Sequence, residues 1–237
     1  MGKRVLVTGA GRGLGYAVAS IHLSAGDEVY AYEYALTEEL NALEQSSGGK
    51  LHVRQCDIAC TESVQNAVSD LTAAGGQLDI IYNVAGIYLH DAREGLAQTD
   101  LDAGLHMYSV NSVGLLRVCK AVLPLIGKGT MVVNITSESG SITDCHRSYE
   151  YMYCMSKAAA NMASKLLFNE LKPLGGGVIC VHPGWLRTQM GGERAMASDH
   201  AITAEKSARD IIGIVGNMKE MPSDLMFVWH NGKSVPW

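Results

Sequence analysis

Short apolar runs alternate with longer segments of helical period from one end of this chain to the other. The short runs predict strands at Val5–Thr8, Glu28–Tyr32, Leu51–Gln55, Ile80–Asn83, Met131–Thr136, Val178–His182 and Leu225–Trp229. The longer segments predict helices at Leu14–Ser24, Glu38–Gln45, Glu62–Ala73, Leu101–Leu125, Tyr151–Leu171 and Ala204–Met218. Repeated strand–helix units build a parallel sheet covered on both faces. The predicted fold class is therefore α/β: one doubly wound domain of 237 residues around about seven parallel strands. No linker, repeat or low-complexity stretch divides it.

The turn after the first predicted strand reads Thr8-Gly9-Ala10-Gly11-Arg12-Gly13-Leu14-Gly15 and leads into a helix. Glycines permit a tight turn and close backbone approach, and a helix N-terminus attracts a pyrophosphate. In this strand–turn–helix setting the loop points to a dinucleotide, with a purely structural turn as the alternative. The second strand runs out at Glu33, about 20 residues beyond the glycines, where a carboxylate accepts hydrogen bonds from ribose hydroxyls and repels a 2′-phosphate. Arg12 opposes that reading, because a cation in the loop can meet a 2′-phosphate; its alternative is a solvated surface charge. Tyr34 stands where an arginine would have strengthened the NADP case. The balance favours NAD(H) over NADP(H).

Tyr153 is the one tyrosine in the chain with a lysine four residues on, Lys157. Within a predicted helix the two share a face. An ammonium beside a phenol favours the phenolate, so the Tyr153 pKa is expected to fall from about 10 towards neutrality. Such a phenol can give or take a proton at cellular pH. The alternative is an ordinary surface pair.

Composition narrows the partners. A net charge of −5 without a basic run argues against nucleic acid or an anionic membrane surface. No apolar stretch reaches the length of a membrane span, and no leader is expected at the N-terminus. Cys56, Cys60, Cys119, Cys145, Cys154 and Cys180 form no Cys-x-x-Cys pair, and no Cys/His cluster has zinc spacing. Free thiols in a reducing cytoplasm, with no metal site, are the expectation.

Taken together, these residues resemble the short-chain dehydrogenases/reductases over nearly the whole chain, which implies a Rossmann-type fold. The loop Thr8–Gly15 is similar to that family's Thr-Gly-x-x-x-Gly-x-Gly, so the resemblance implies cofactor contacts at Gly9, Gly11, Arg12, Gly13, Leu14 and Gly15. Asp57-Ile58 resembles its adenine contact. Asn83-Val84-Ala85-Gly86 is similar to its Asn-Asn-Ala-Gly, with Val84 replacing the second Asn. Asn111 in Val110–Gly114, Ser137 after Asn134-Ile135-Thr136, and Tyr153 with Lys157 complete the set of catalytic residues that the resemblance implies. Pro183-Gly184-Trp185-Leu186-Arg187-Thr188 resembles the Pro-Gly-x-x-x-Thr that closes over the nicotinamide. The run 183–192 and the ending Val235-Pro236-Trp237 look like the C-factor/sniffer-type carbonyl reductases.

The reaction so implied is hydride transfer between nicotinamide and a ketone, aldehyde or secondary alcohol. Tyr153 would be the acid/base and Ser137 would hydrogen-bond the reacting oxygen. Lys157 would bind the nicotinamide ribose, and Asn111 would hold a water. Asn111 could instead kink its helix, Thr136 and Ser139 rival Ser137, and Thr188 could simply start a turn. Asp144–Glu150 is expected at the pocket rim. Ile87-Tyr88-Leu89-His90, Cys145-His146 and Trp185 are expected to line the pocket, and 189–202 to form a lid. Apolar faces on the long helices Leu101–Leu125 and Tyr151–Leu171 suggest a homodimer or homotetramer. Competing readings are a catalytically silent NAD(P)-binding redox sensor and a nucleotide-sugar epimerase or dehydratase.

Overall fold

The structure is a computed structural model that describes residues 2–89 and 95–237. Its centre is a seven-stranded, all-parallel sheet. The strands are β1 (Arg4–Thr8), β2 (Glu28–Glu33), β3 (Leu51–Gln55), β4 (Ile80–Asn83), β5 (Met131–Ile135), β6 (Gly177–His182) and β7 (Met226–Trp229). Their spatial order is β3-β2-β1-β4-β5-β6-β7. The chain therefore winds outward from β1 to β3, returns to the other side of β1, and winds outward again. That reversal opens a crevice between the C-terminal ends of β1 and β4, where ligands of open α/β sheets bind.

Helices cover both faces. Alternation along β1 sends Leu6 to one face and Val5 and Val7 to the other. The first face packs against α3 (Thr61–Ala74), α5 (Gly114–Ala121) and α6 (Tyr151–Leu171) through Leu71, Val118 and Phe168. The second packs against α1 (Gly13–Ser24), α2 (Glu38–Ser46) and α8 (Ala204–Gly216) through Val18, Leu40 and Ile211. Local chemistry sets the helix starts. Thr37 caps α2 through Leu40 N (3.2 Å), and Thr203 caps α8 through Lys206 N (3.2 Å).

The predicted helix Leu101–Leu125 is interrupted. It consists of α4 (Leu101–Tyr108), a π-helical turn at Ser109–Val113, α5, and a short 3₁₀ turn at Leu123–Leu125. The apolar period runs on through the π turn, so periodicity alone did not reveal it. Side chains did the breaking: Asn111 bonds Ile87 and Ser156, and Ser112 Oγ donates to the Ser156 carbonyl (2.7 Å). Single π turns of this kind are frequent at functional sites.

At the opposite, N-terminal end of the sheet, His22 is buried between Asp27 (2.7 Å) and Tyr82 Oη (3.2 Å). Burial, only partly offset by Asp27, pulls its pKa below the usual 6.5. The unfolded chain therefore takes up a proton here before the folded one does. Stability from this site is complete above 6.5 and is lost as pH falls below it. Urea midpoints measured from neutrality down to about pH 5 should decline, and the His22→Phe variant should flatten that decline.

Candidate active site

The Gly-rich turn occupies the crevice at the end of β1. Thr8 Oγ1 accepts from both Val84 N and Ala85 N (3.2 Å each), tying the ends of β1 and β4 together. Gly9 has φ +66°, and a side chain at Gly15 would collide with the Gly9 carbonyl. No side chain caps the start of α1, so its first N–H groups face the crevice for an anion to take. Leu14 itself points away, into the core under α1. These features fit the pyrophosphate of a dinucleotide.

Glu33 sits at the tip of β2 as expected, but its carboxylate is turned inward. Oε2 accepts from Gly11 N (2.6 Å) and Oε1 from Tyr34 N (2.9 Å). It therefore braces the loop that a ribose would approach. Asp57 likewise serves its own turn, accepting from Ala59 N (2.8 Å), and Ile58 packs beside Gly114. The Asn83 amide donates to Asn134 Oδ1 (2.8 Å) beneath the crevice. Arg12 reaches across to Gln189, and Thr188 lies against Gly13, so the segment after β6 folds back over the glycine loop. Gly184, with φ +88°, makes the bend that allows this, and the Pro183 carbonyl is held by Ser207 Oγ (2.7 Å). Half-exposed Trp185 pairs with Ile202 through the backbone (2.9 Å), which fixes both ends of 189–202. Inside that segment lies α7 (Gly192–Met196). Beside it Thr188, Gln189, Gly192, Glu193, Met196 and Ala197 line a cleft of about 570 Å³.

Tyr153, Lys157, Ser137 and Asn111 converge from three elements. The first turn of α6 carries Tyr153, and the end of β5 carries Ser137. Gly140 brings the two together: a Cβ there would stand 2.6 Å from the Lys157 carbonyl carbon, so only a glycine lets the loop after β5 lie on α6. The Ser137 hydroxyl lies near enough to the buried Tyr153 phenol to act on its pKa. Lys157 Nζ is 5.8 Å from the Tyr153 ring centroid and donates to the Ile135 carbonyl (3.0 Å). Asn111 Oδ1 and Lys157 Nζ flank Gly86, 3.2 and 3.7 Å from where its Cβ would be. Thr136 Oγ1, next to these groups, is buried without a partner.

One expectation from sequence is corrected. Lys157 does not make Tyr153 acidic in the free chain. Burial pushes the phenol above its ordinary value, a hydrogen bond with Ser137 only partly counters this, and the charges of Glu138 and Glu150 push the same way as burial. The lysine is itself buried, and that burial lowers it from 10.5 to about 8.

Several residues at the site were not singled out in the sequence. Glu138, directly after Ser137, accepts from Ser137 Oγ (2.7 Å) and from Arg147, and His182 Nδ1 lies 2.9 Å from it. Burial alone would raise its carboxyl, but His182, Arg147 and Ser137 hold it well below the usual carboxylate range. Arg147 continues to Glu150 (2.9 Å), which accepts from Tyr88 Oη (2.7 Å), and the Tyr88 ring meets Tyr153 edge-on at 5.1 Å. Glu150 is the one non-glycine residue at positive φ among those described (φ 63°), and it starts α6. Strain of this sort survives only where surroundings over-determine it. The expected rim around Asp144–Glu150 is thus clamped to the end of β5 by ion pairs. His146 points outward, largely exposed, and His90 lies outside the described residues. All six cysteines are free, Cys56, Cys119 and Cys180 of them buried.

Comparison with known proteins places this geometry. The short chain dehydrogenase family model matches residues 3–198. The 1-hydroxy-2-glutathionyl-2-methyl-3-butene dehydrogenase of Rhodococcus sp. (strain AD45) is 28% identical over 234 residues, covering 98% of this chain and 99% of that protein. C-signal of Myxococcus xanthus is 32% identical over 164 residues, covering 68% of this chain and 94% of that protein. The NADPH-bound carbonyl reductase from chicken fatty liver superposes with a TM-score of 0.89 at 24% identity, over 99% of each chain.

Proposed function

The chain belongs to the short chain dehydrogenase family, an NAD(P)-dependent oxidoreductase family, and from that premise we propose that it interconverts a carbonyl compound and an alcohol, with Tyr153 as the general acid/base. The observation that carries this is the convergence of Tyr153 with buried Lys157 and Asn111 around Gly86, beside Ser137 at the end of β5, at the crevice between β1 and β4. The nicotinamide, when bound, supplies or accepts the hydride. In reduction Tyr153 gives its proton to the developing alkoxide. The raised pKa suits this direction, since the phenol is protonated at neutral pH. Lys157, beside Gly86, would hold the nicotinamide ribose, and Asn111 next to it would hold a water. Thr188 and Trp185 would close over the cofactor with 189–202 as the lid, and Met196 would give that lid an apolar edge.

Nicotinamide absorbance, followed across a panel of ketones, aldehydes and secondary alcohols, tests the proposal. Turnover of any member separates it from a silent cofactor sensor, and no turnover with either cofactor sinks it.

For the cofactor, NAD(H) is the preference that fits Glu33 at the tip of β2. The chicken carbonyl reductase carries NADPH, and Arg12 is the residue here that would serve a 2′-phosphate. Titration of both cofactors should show tighter NAD(H) binding, by about tenfold, and Glu33→Ala should erase the difference. Tighter NADP(H) binding by the parent would give Arg12 the deciding role. The exposed apolar residues Leu105 and Leu116 on one helical run, with Met162 and Leu166 on α6, are where a second copy would pair. Sedimentation should show a dimer or tetramer, and Leu166→Glu should shift it towards monomer. No described helix is long and apolar enough to cross a membrane.

A further inference from the structure

Glu150 stands where a glycine would sit more easily. It is the one non-glycine residue at positive φ (63°) among the described residues, and the left-handed region costs a residue with a Cβ what it does not cost glycine. It precedes α6, yet its side chain does not cap that helix. The residue is only 9% exposed, and its carboxylate serves other groups. Oε1 accepts from Tyr88 Oη (2.7 Å), and Oε2 meets Arg147 Nε (2.9 Å). Tyr88 is thereby held at two ends. Asn111 grips the backbone of the preceding residue, accepting from Ile87 N (2.8 Å) and donating to the Ile87 carbonyl (3.0 Å). The tip of the Tyr88 side chain is on Glu150. Between these anchors the Tyr88 ring stands 5.1 Å from that of Tyr153, with the two planes at 77°. A tyrosine's own χ2 torsion sets its ring tilt only loosely, and an edge-on neighbour selects one tilt. Conjugation keeps a phenol's hydrogen near the plane of its ring, so the tilt decides where the proton points.

We propose that Glu150 is a positioning residue: by holding Tyr88 against Tyr153 it aims the phenolic proton that the reaction transfers. The inference rests on Tyr153 as the acid/base of the reaction proposed above. It accounts for a carboxylate kept at a backbone position that strains it. Arg147 has a second carboxylate in Glu138, so the ion pair alone does not call for Glu150.

The test reads kcat and KM for the panel carbonyl compound that the parent reduces fastest, with thermal midpoint and cofactor affinity on the same samples. Glu150→Gly relieves the strained φ and deletes the carboxylate. Strain relief offsets the lost contacts, so this variant should melt close to the parent and keep cofactor affinity within about twofold. Its kcat should fall about tenfold with little change in KM, the mark of an interaction made only in the transition state. Tyr88→Phe keeps the ring, removes the hydroxyl, and should lose as much. The double variant should lose no more than either single one, because both break the same link. Glu150→Gln keeps an oxygen for Tyr88 and should restore most of the rate. Additive losses in the double variant, or a parent kcat in Tyr88→Phe, overturn the proposal. So does a Glu150→Gly variant that melts lower but turns over at the parent kcat, since that is a carboxylate kept for folding alone. If Glu150→Gly fails to fold, the other two single variants decide: Tyr88→Phe must lose the rate and Glu150→Gln must keep it. A parent that turns over while these patterns fail sinks this inference only, whereas absence of parent turnover with either cofactor sinks the reaction on which it rests.

Discussion

Replacing Tyr153 by Phe should lower kcat/KM by about 10³-fold while leaving cofactor affinity within about twofold of the parent. The substitution removes one oxygen and keeps the ring, so the edge-on contact with Tyr88 at 5.1 Å survives. The proton donor goes, and the neighbouring groups do not replace it. Ser137 Oγ is engaged with Glu138 and Ser139, and Lys157 Nζ with the Ile135 carbonyl. General acid/base groups contribute about 10²–10⁴ in rate, and the upper part of that range applies because burial keeps water from substituting. Steady-state rates in both directions, with cofactor titration and circular dichroism on the same sample, check this. A variant that turns over as fast as the parent would show that the proton moves elsewhere.

Burial has a second consequence for this phenol. Its raised pKa means that a pH–rate profile for oxidation should rise with pH through the alkaline range, whereas reduction should be flat near neutrality. A profile in which both directions titrate near neutrality would mean that the bound cofactor supplies the acidifying charge that Lys157 does not supply in the free chain.

The sheet was legible because its signals are local. Most strands are apolar runs, many turns carry glycine or a capping Thr or Asp, and α6 runs from Tyr151 to Leu171 as its period predicts. The glycine loop was legible for the same reason, since strand, turn and helix adjoin in sequence. Two things escaped. The π turn at Ser109–Val113 is made by tertiary hydrogen bonds from Asn111 and Ser112 to Ile87 and Ser156, 24 and 44 or 45 residues away, and periodicity carries no trace of them. Tyr88 and the rim Asp144–Glu150 are legible in sequence, but Glu138 and the ion pairs that join it through Arg147 to Glu150 are not, because charge in a loop reads as solvated surface until the fold removes the water. One clue was available. A Glu directly after a candidate catalytic Ser, with Arg and Glu nine and twelve residues further on, is an odd allocation of charge for a pocket rim. The Tyr153 pKa departs from the sequence expectation for a related reason. Helical spacing gives the direction of Lys157 but neither the depth of both groups nor the two carboxylates that assemble around them.

Lys157→Met should make the enzyme slower and more stable at the same time. The lysine is only 6% exposed, and burial brings its pKa down from 10.5 to about 8. Its folded-state pKa is thus lowered, so the folded chain carries a costly ammonium at every pH below about 8. That cost disappears as pH rises from about 8 to 10.5, where the unfolded chain still holds the proton and the folded one does not. Methionine fills nearly the same volume without charge. Removing the ammonium should stabilise the fold by about 1–2 kcal/mol at neutral pH, after allowing for the Ile135 carbonyl that loses its donor. The gain should shrink as the pH passes from 8 towards 10.5. Over the same substitution kcat/KM should fall about 10²-fold and cofactor affinity should weaken, because the positive charge beside Gly86 and Asn111 is gone. Urea unfolding at two pH values, run beside the kinetics, reads both effects. A lysine kept for packing would give the opposite sign in stability, and one kept for nothing would leave the rate unchanged. Only a charge held against its own burial cost for the sake of the reaction gives both.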